Sequence, residues 1–394
     1  MYYIKTLYGI YSIRYVNKVK NDVYTISCIG ICSKDNKGEK VNMRVLYICN
    51  YDAWNKISKD AMANHHLFGF AYWIEKWVYD DNGMVSHAVF KDEFFGGGYI
   101  YFIKIKSTYD FRTLTYIYNL SKNFDLIYDT LNNCKLLGLL KKIGIMKCKL
   151  ISIMHYPPFH KQFLVSKSDG YIFFDKKYYN YAVEDCTRNK QYKSFYINEW
   201  KPDKRWYWEK IKELNIEPNH GYFFVDNGKT LRDHQLLYKV CNDNKLPLLM
   251  CSNEHINSEF VTCYHIDDFS DETIMIRKIY GSQCIVIPTI KMDKMGPIGI
   301  TSFLDAIAYE IPVICSDNTC FAEIVSQYGL GLVYKAGSEK SLSEKMINIY
   351  NDVELYEKCK KNMIDYSNSP ENSLIRYSLN LKEIIEEVFK EPYL

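Results

Sequence analysis

The stretch Gly296–Val325, GPIGITSFLDAIAYEIPVICSDNTCFAEIV, constrains the fold more than any other part of the chain. It reads as glycine turn, helix, apolar run, loop and second helix. The run Ile311 to Cys315 is apolar without alternation, the pattern of a parallel strand covered on both faces. A strand flanked by helices in this way belongs to a layered α/β sheet. Gly299 lets the backbone come close to a ligand, and Ile300, Thr301 and Ser302 open a helix whose first N–H groups have no partner within it. Such a helix start attracts phosphate through those donors and the positive end of the dipole. Asp305, one turn further in, is placed to accept hydrogen bonds from ribose hydroxyls. A glycine, a helix and a buried strand also recur in doubly wound domains that bind no nucleotide.

Two further blocks precede this one in the chain. Gly221–Ser252, GYFFVDNGKTLRDHQLLYKVCNDNKLPLLMCS, reads strand, Gly-Lys loop, amphipathic helix, strand. Its loop carries Gly228 and two cations, Lys229 and Arg232, suited to a diphosphate or simply to solvent. Phe260–Thr289 reads short strand, helix and a strand ending at Pro288-Thr289. There Ser270, with Asp271, Glu272 and Thr273, marks a helix start, and no catalytic role is assigned to it.

In this order the blocks resemble the donor domain of GT-B glycosyltransferases, in particular the large retaining family 4. The resemblance implies two Rossmann-like domains facing each other across a cleft. Lys229 and Arg232 then meet the donor diphosphate, with Gly228 in their loop, and Gly299, Ile300, Thr301 and Ser302 cradle it from the helix start. The family carries a Glu-x7-Glu element here. Asp305 takes the place of the second acid, which contacts the ribose, while the first, which contacts the transferred sugar, falls at Pro297. The resemblance implies sugar transfer from a UDP- or GDP-linked donor to an acceptor hydroxyl on a glycan, lipid or protein. It also implies retention of configuration, with no metal and no separate cofactor.

A chain of 394 residues exceeds what one core fills, which sets two domains as the expectation. The expected boundaries are 1–42 for a β-rich, hairpin-like extension, 43–198 for an acceptor domain, 199–372 for the nucleotide-sugar domain and 373–394 for a helix crossing back. The first is read from the alternation in VYTISCIGIC, and the second from the buried strand in RVLYICNYDAW. A helix is expected over NHHLFGFAYWIEKW, residues 64–77, and the resemblance to GT-B enzymes implies that His65, His66 and Gly69 are turned to the cleft. His155, at the end of the strand LISIM, is the third histidine candidate, since ligands of open α/β sheets bind outside the carboxyl ends of the strands. All three are equally open to packing or turn roles. Asp175, at another strand end, is a further candidate.

The net charge of +3 makes no case for nucleic acid. The 13 cysteines show no paired spacing, which suits a reducing cytoplasm better than disulfides or zinc. No apolar run approaches the roughly 20 residues of a membrane span. The segment Cys134–Lys161 mixes lysines with Leu, Ile and Met, leaving peripheral contact with the inner face of a membrane open beside the reading as an ordinary helix and strand. A catalytically silent relative serving as a binding subunit, and a sugar-nucleotide epimerase of the same fold, are the alternative readings. Oligomeric state and the identity of the sugar are not legible.

Overall fold

The computed structural model describes residues 2–5, 11–17, 22–28, 43–91, 97–105, 111–131, 134–155, 167–188, 194–252, 257–265, 272–291 and 298–390. Ser270, Asp271, Gly296 and Pro297, all singled out above, lie outside these residues. Strands β1 (Tyr2–Lys5), β2 (Tyr11–Asn17) and β3 (Asp22–Cys28) form an antiparallel sheet of their own.

An eight-stranded sheet follows, built from β4 (Met43–Cys49), β5 (Ile74–Tyr79), β6 (Val85–Phe90), β7 (Gly98–Lys104), β8 (Leu126–Asp129), β9 (Lys149–Met154), β10 (Gly170–Phe173) and β11 (Phe195–Ile197). Its order is β11-β10-β9-β8-β4-β7-β6-β5, parallel from β11 to β7, with β6 and β5 added antiparallel. The third sheet comprises β12 (Phe224–Asp226), β13 (Leu248–Cys251), β14 (Val261–Tyr264), β15 (Cys284–Ile287), β16 (Val313–Ser316) and β17 (Gly331–Tyr334). It is parallel throughout in the order β14-β13-β12-β15-β16-β17. The order reverses between β12 and β15, which opens a crevice at their carboxyl ends.

Period-two alternation divides each central strand between two cores. In β15, Ile285 and Ile287 pack on one face while Cys284 and Val286 pack on the other. In β4, Val45, Tyr47 and Cys49 share one cluster and Leu46 and Ile48 another. Both strands are covered by helices on both faces, hence their unbroken apolar sequences.

The helix expected over residues 64–77 does not form. Two short 3-10 turns, Asn64–Leu67 and Phe70–Trp73, lead directly into β5. Phe68 and Gly69 take left-handed backbone angles, φ 46° and 97°, which no helix continues through. The following Ile74, Trp77, Val78 and Tyr79 are β-branched or aromatic and favour the pleated edge they occupy. Gly69 faces Leu381 rather than a cleft: a methyl group on Gly69 would lie 2.8 Å from Leu381 Cδ2.

Leu381 belongs to the helix Leu374–Lys390, which also sends Tyr377, Ile384, Ile385 and Val388 into the cluster around β4, β8 and β9. Asn198 Nδ2 ties the crossing segment to it by donating to the Tyr377 carbonyl at 3.2 Å. Leu381→Ala is expected to lower the unfolding free energy by about 2–5 kcal/mol in a denaturant titration. Amide exchange should quicken in β4 and β8 before it does in β12 and β15.

Candidate functional site

Strand β12 ends on the fully buried Asp226, and the chain then turns through Asn227, Gly228, Lys229 and Thr230 to Arg232. Backbone pairing holds this loop to the segment after β15: Asp233 N–H donates to Pro288 O at 2.6 Å and Ile290 N–H to Leu231 O at 3.0 Å. The loop therefore lies across the reversal of strand order. Asp233 caps the next helix, His234–Asp243, by accepting the Leu236 N–H.

From this loop the Arg232 side chain, 3 % exposed, reaches the first turn of the helix Ile300–Tyr309. Its Nη2 donates to Ser302 Oγ at 2.9 Å and its Nη1 to the Thr230 carbonyl at 3.2 Å. Its Nε is buried with no hydrogen-bond partner and lies 3.6 Å from Asp226 Oδ1. The guanidinium lies over Gly228, where a methyl group would come within 2.2 Å of Nη2. Burial pulls the Arg232 pKa down against the opposing charge of Asp226, and the group stays cationic at neutral pH. Lys229, on the same loop, acts electrostatically on the thiol of Cys251 at the end of β13.

Gly299 precedes the helix with φ 86°, and no side chain caps it. Phe303 N–H donates to Gly299 O, so the open donors of the first turn belong to Ile300, Thr301 and Ser302. Thr301 is exposed, Ile300 is half-buried and Ser302 is buried against Arg232. Behind them Phe303 stacks on Phe321 at 4.6 Å, fixing the helix to the next one. The loop and the helix start thus form one cationic corner.

Asp305 points from the same helix toward the loop. Its Oδ1 accepts Tyr207 OH at 3.0 Å and its Oδ2 accepts Asn227 Nδ2 at 2.5 Å. Burial raises its pKa to about 7 against the Tyr207 hydrogen bond, and the nearby Glu272 carboxylate adds to the rise. Each carboxylate oxygen keeps capacity for one more hydrogen bond.

The three histidines part company. His65 is buried, accepts Asp203 N–H on Nδ1 at 3.3 Å and lies among His66, Trp200 and Tyr207. Burial drives its pKa well down, and its place is one of packing. His66 stands at the junction of the two lobes, with Nε2 2.6 Å from Glu272 Oε1, while Glu272 Oε2 accepts the Ala63 N–H at 2.9 Å. His155 donates Nε2–H to the Thr130 carbonyl at 2.8 Å and stands edge-on to Phe68 and Phe174. Burial lowers its pKa to about 4, so it is a neutral imidazole with Nδ1 left as an acceptor. Phe174 in turn lines a gap of about 20 Å³ between the lobes, together with Trp200, Ile300, Phe303 and Phe321. Asp175 caps the helix Lys176–Arg188 by accepting the Tyr178 N–H, with its pKa raised by burial to about 6.

Sequence reasoning brought together Gly228, Arg232, Gly299, Ser302 and Asp305, and missed Asp226, Asn227, Tyr207 and Glu272. Asp226 and Asn227 stood at a strand end in the quoted block, a position that signals ligand proximity. Tyr207 gave no signal among 36 tyrosines.

Residues 270–365 match the family model described as glycosyl transferases group 1. No curated protein matches the chain in sequence. Among solved structures, a glycosyltransferase from Rickettsia africae ESF-5 is 12% identical, with 89% of this chain and 100% of that chain covered at a TM-score of 0.58. Anabaena HepE in complex with UDP-glucose is 9% identical over 88% of this chain and 100% of that one, TM-score 0.60. Sucrose-phosphate synthase from Thermosynechococcus elongatus is 12% identical over 88% and 99%, TM-score 0.61. The chain has the GT-B fold, two Rossmann-like units, and the residues that match the group 1 model lie in the second.

Asp305 yields a pH prediction. From about pH 4 to about pH 7 the folded chain holds a proton on Asp305 that the unfolded chain has lost, so its contribution to stability falls as pH rises and levels off above. In thermal melts, Asp305→Asn is expected to gain on the wild type across that window and to keep a constant lead beyond it.

Proposed function

We propose that the chain transfers a sugar from a nucleoside-diphosphate sugar to an acceptor hydroxyl, with the donor held by the second lobe. The observation that carries this reading is the buried Arg232, its Nε without a hydrogen-bond partner, delivered by a glycine loop to the uncapped start of the helix Ile300–Tyr309. A helix start and a fixed guanidinium together make an anion site. Lys229 adds a second cation. As the bond from sugar to diphosphate breaks, charge builds on the leaving phosphate, and donors already in place stabilise it without reorganising. No metal enters this scheme.

Asp305, oriented by Tyr207 and Asn227, takes the ribose hydroxyls. His66 and His155 face the transferred sugar and the acceptor, His155 through Nδ1. Retention of configuration is part of the proposal, following the resemblance to the retaining family. UDP-linked donors stand first, because HepE, similar in fold, holds UDP-glucose. The acceptor is a hydroxyl of a glycan, a lipid-linked sugar or a protein. Ten of the 13 cysteines are free thiols, which supports a reducing compartment. No helix among the described residues is long and apolar enough to cross a membrane.

A panel of UDP-, GDP-, ADP- and CMP-sugars tests the reading by thermal shift. At a donor concentration of about 100 Kd, binding stabilises the native state by roughly 2.7 kcal/mol, a rise of a few degrees. One nucleotide class is expected to give that rise, and Arg232→Ala and Asp305→Ala each to abolish most of it. A flat response to all four classes would refute the donor assignment.

A further inference from the structure

Arg232 meets its ligand already sharing a carboxylate. Asp226 Oδ1 accepts the Gly228 N–H at 3.1 Å and faces Arg232 Nε, whereas Oδ2 lies 3.0 Å from His234 Nε2. The same nitrogen is 3.0 Å from the Gly228 carbonyl. With two oxygen acceptors in reach, Nε2 carries the hydrogen. His234 thus donates to the glycine over which the guanidinium lies and sets its ring against the carboxylate that neutralises Arg232, whose Oδ2 accepts no hydrogen bond.

The other titratable groups around the cluster come from the neighbouring strands and the loop. Cys251 ends β13, Tyr264 ends β14 with its hydroxyl 3.4 Å from the Asp226 carbonyl, and Tyr334 ends β17. Burial pushes the Cys251 thiol up to about 11 and both tyrosines well above their ordinary value, so all three are neutral near pH 7. The charged groups left are Asp226, Arg232, Lys229, His234, the Asp233 carboxylate that caps the helix His234 opens, and Asp305, which gains its charge at about pH 7 in the wild type and in both variants below alike. Burial works against the cation on His234, but the adjacent charge of Asp226 and the Gly228 carbonyl outweigh it and set its pKa above the usual 6.5.

We propose that His234 is a positioning residue of the anion site. By taking up the charge of Asp226 it frees Arg232 for phosphate, so the site strengthens toward a diphosphate as His234 gains a proton. The proposal rests on the diphosphate reading above and adds to it a control by pH. With His234 neutral, Asp226 offsets the charge of Arg232. With His234 cationic, a further positive charge is felt at the helix start. By linkage, a bound anion in turn raises the proton affinity of His234.

Titration calorimetry of the full chain with inorganic pyrophosphate, from about pH 6 to about pH 9, tests this on the wild type, His234→Gln and Asp226→Asn. The ionisation of pyrophosphate is common to all three and cancels in their ratios. The wild type is expected to lose roughly ten-fold more affinity across the range than His234→Gln, the effect of one charge at this distance in a partly screened site. Asp226→Asn is expected to bind more tightly than the wild type at the alkaline end, a gain that damage to the fold would not produce. Identical pH profiles for wild type and His234→Gln, or weaker binding by Asp226→Asn, would overturn the role of His234 while leaving the diphosphate site standing. No binding of pyrophosphate by the wild type at any pH would sink both.

Discussion

A guanidinium taken out of water costs several kcal/mol unless its charge and its donors are answered, and the second lobe is arranged around answering Arg232. Asp226 supplies the charge, and Ser302 and the Thr230 carbonyl take one donor each, with Nε left over. Gly228 supplies the room by having no side chain. The backbone pairing of the loop with Pro288 and Ile290 keeps these partners in register. One residue thereby joins the end of β12, the end of β15 and the start of the helix Ile300–Tyr309. The reversal of strand order puts these three within reach of one another, and the arginine fixes them there.

That helix is also the point where the lobes meet. Leu304 packs in the cluster of the first lobe, while Phe303, Ala306 and Ile307 pack in that of the second. Around it, polar contacts hold residues 60–66 of the first lobe. Asp60 accepts Trp206 Nε1 at 2.8 Å and pairs with Lys210, Asn64 donates to Asp203, and Glu272 holds both Ala63 and His66. Most of these pairs are charge-assisted and part-buried, and breaking one side would leave the other in a poor medium for charge. A donor held at the helix start is therefore in contact with an element that both lobes position.

The corner of the second lobe was legible because its signals are local. Glycine before a helix, an acid one turn in and an apolar run that must be a covered strand each follow from spacing alone and led to Gly299, Ser302 and Asp305, while Arg232 came from the Gly-Lys loop and its family resemblance. The residues missed act across distance in the chain: Tyr207 meets Asp305, and Glu272 meets His66, only after folding. The helix expected over residues 64–77 failed for a different reason. Apolar and aromatic residues there satisfy helical and strand periods equally, and the decision falls to left-handed turns at Phe68 and Gly69 and to the free edge of a sheet. The histidines show the same limit, since nothing in sequence separates a packed His65 from a paired His66.

The crossing helix Leu374–Lys390 sets an order of assembly. Its five buried apolar side chains complete the core around β4, yet in the chain they follow the entire second lobe. During synthesis the first lobe emerges early and stays short of part of its interior until the rest has been made. Contacts between such distant parts of a chain form late, because the loop they close is long. The second lobe, whose cores are built mostly from consecutive segments, can reach its final packing while the first is still loosely held. A nascent chain of this protein would thus present the cationic corner before the first lobe is complete, and would depend longest on protection from aggregation in its oldest half.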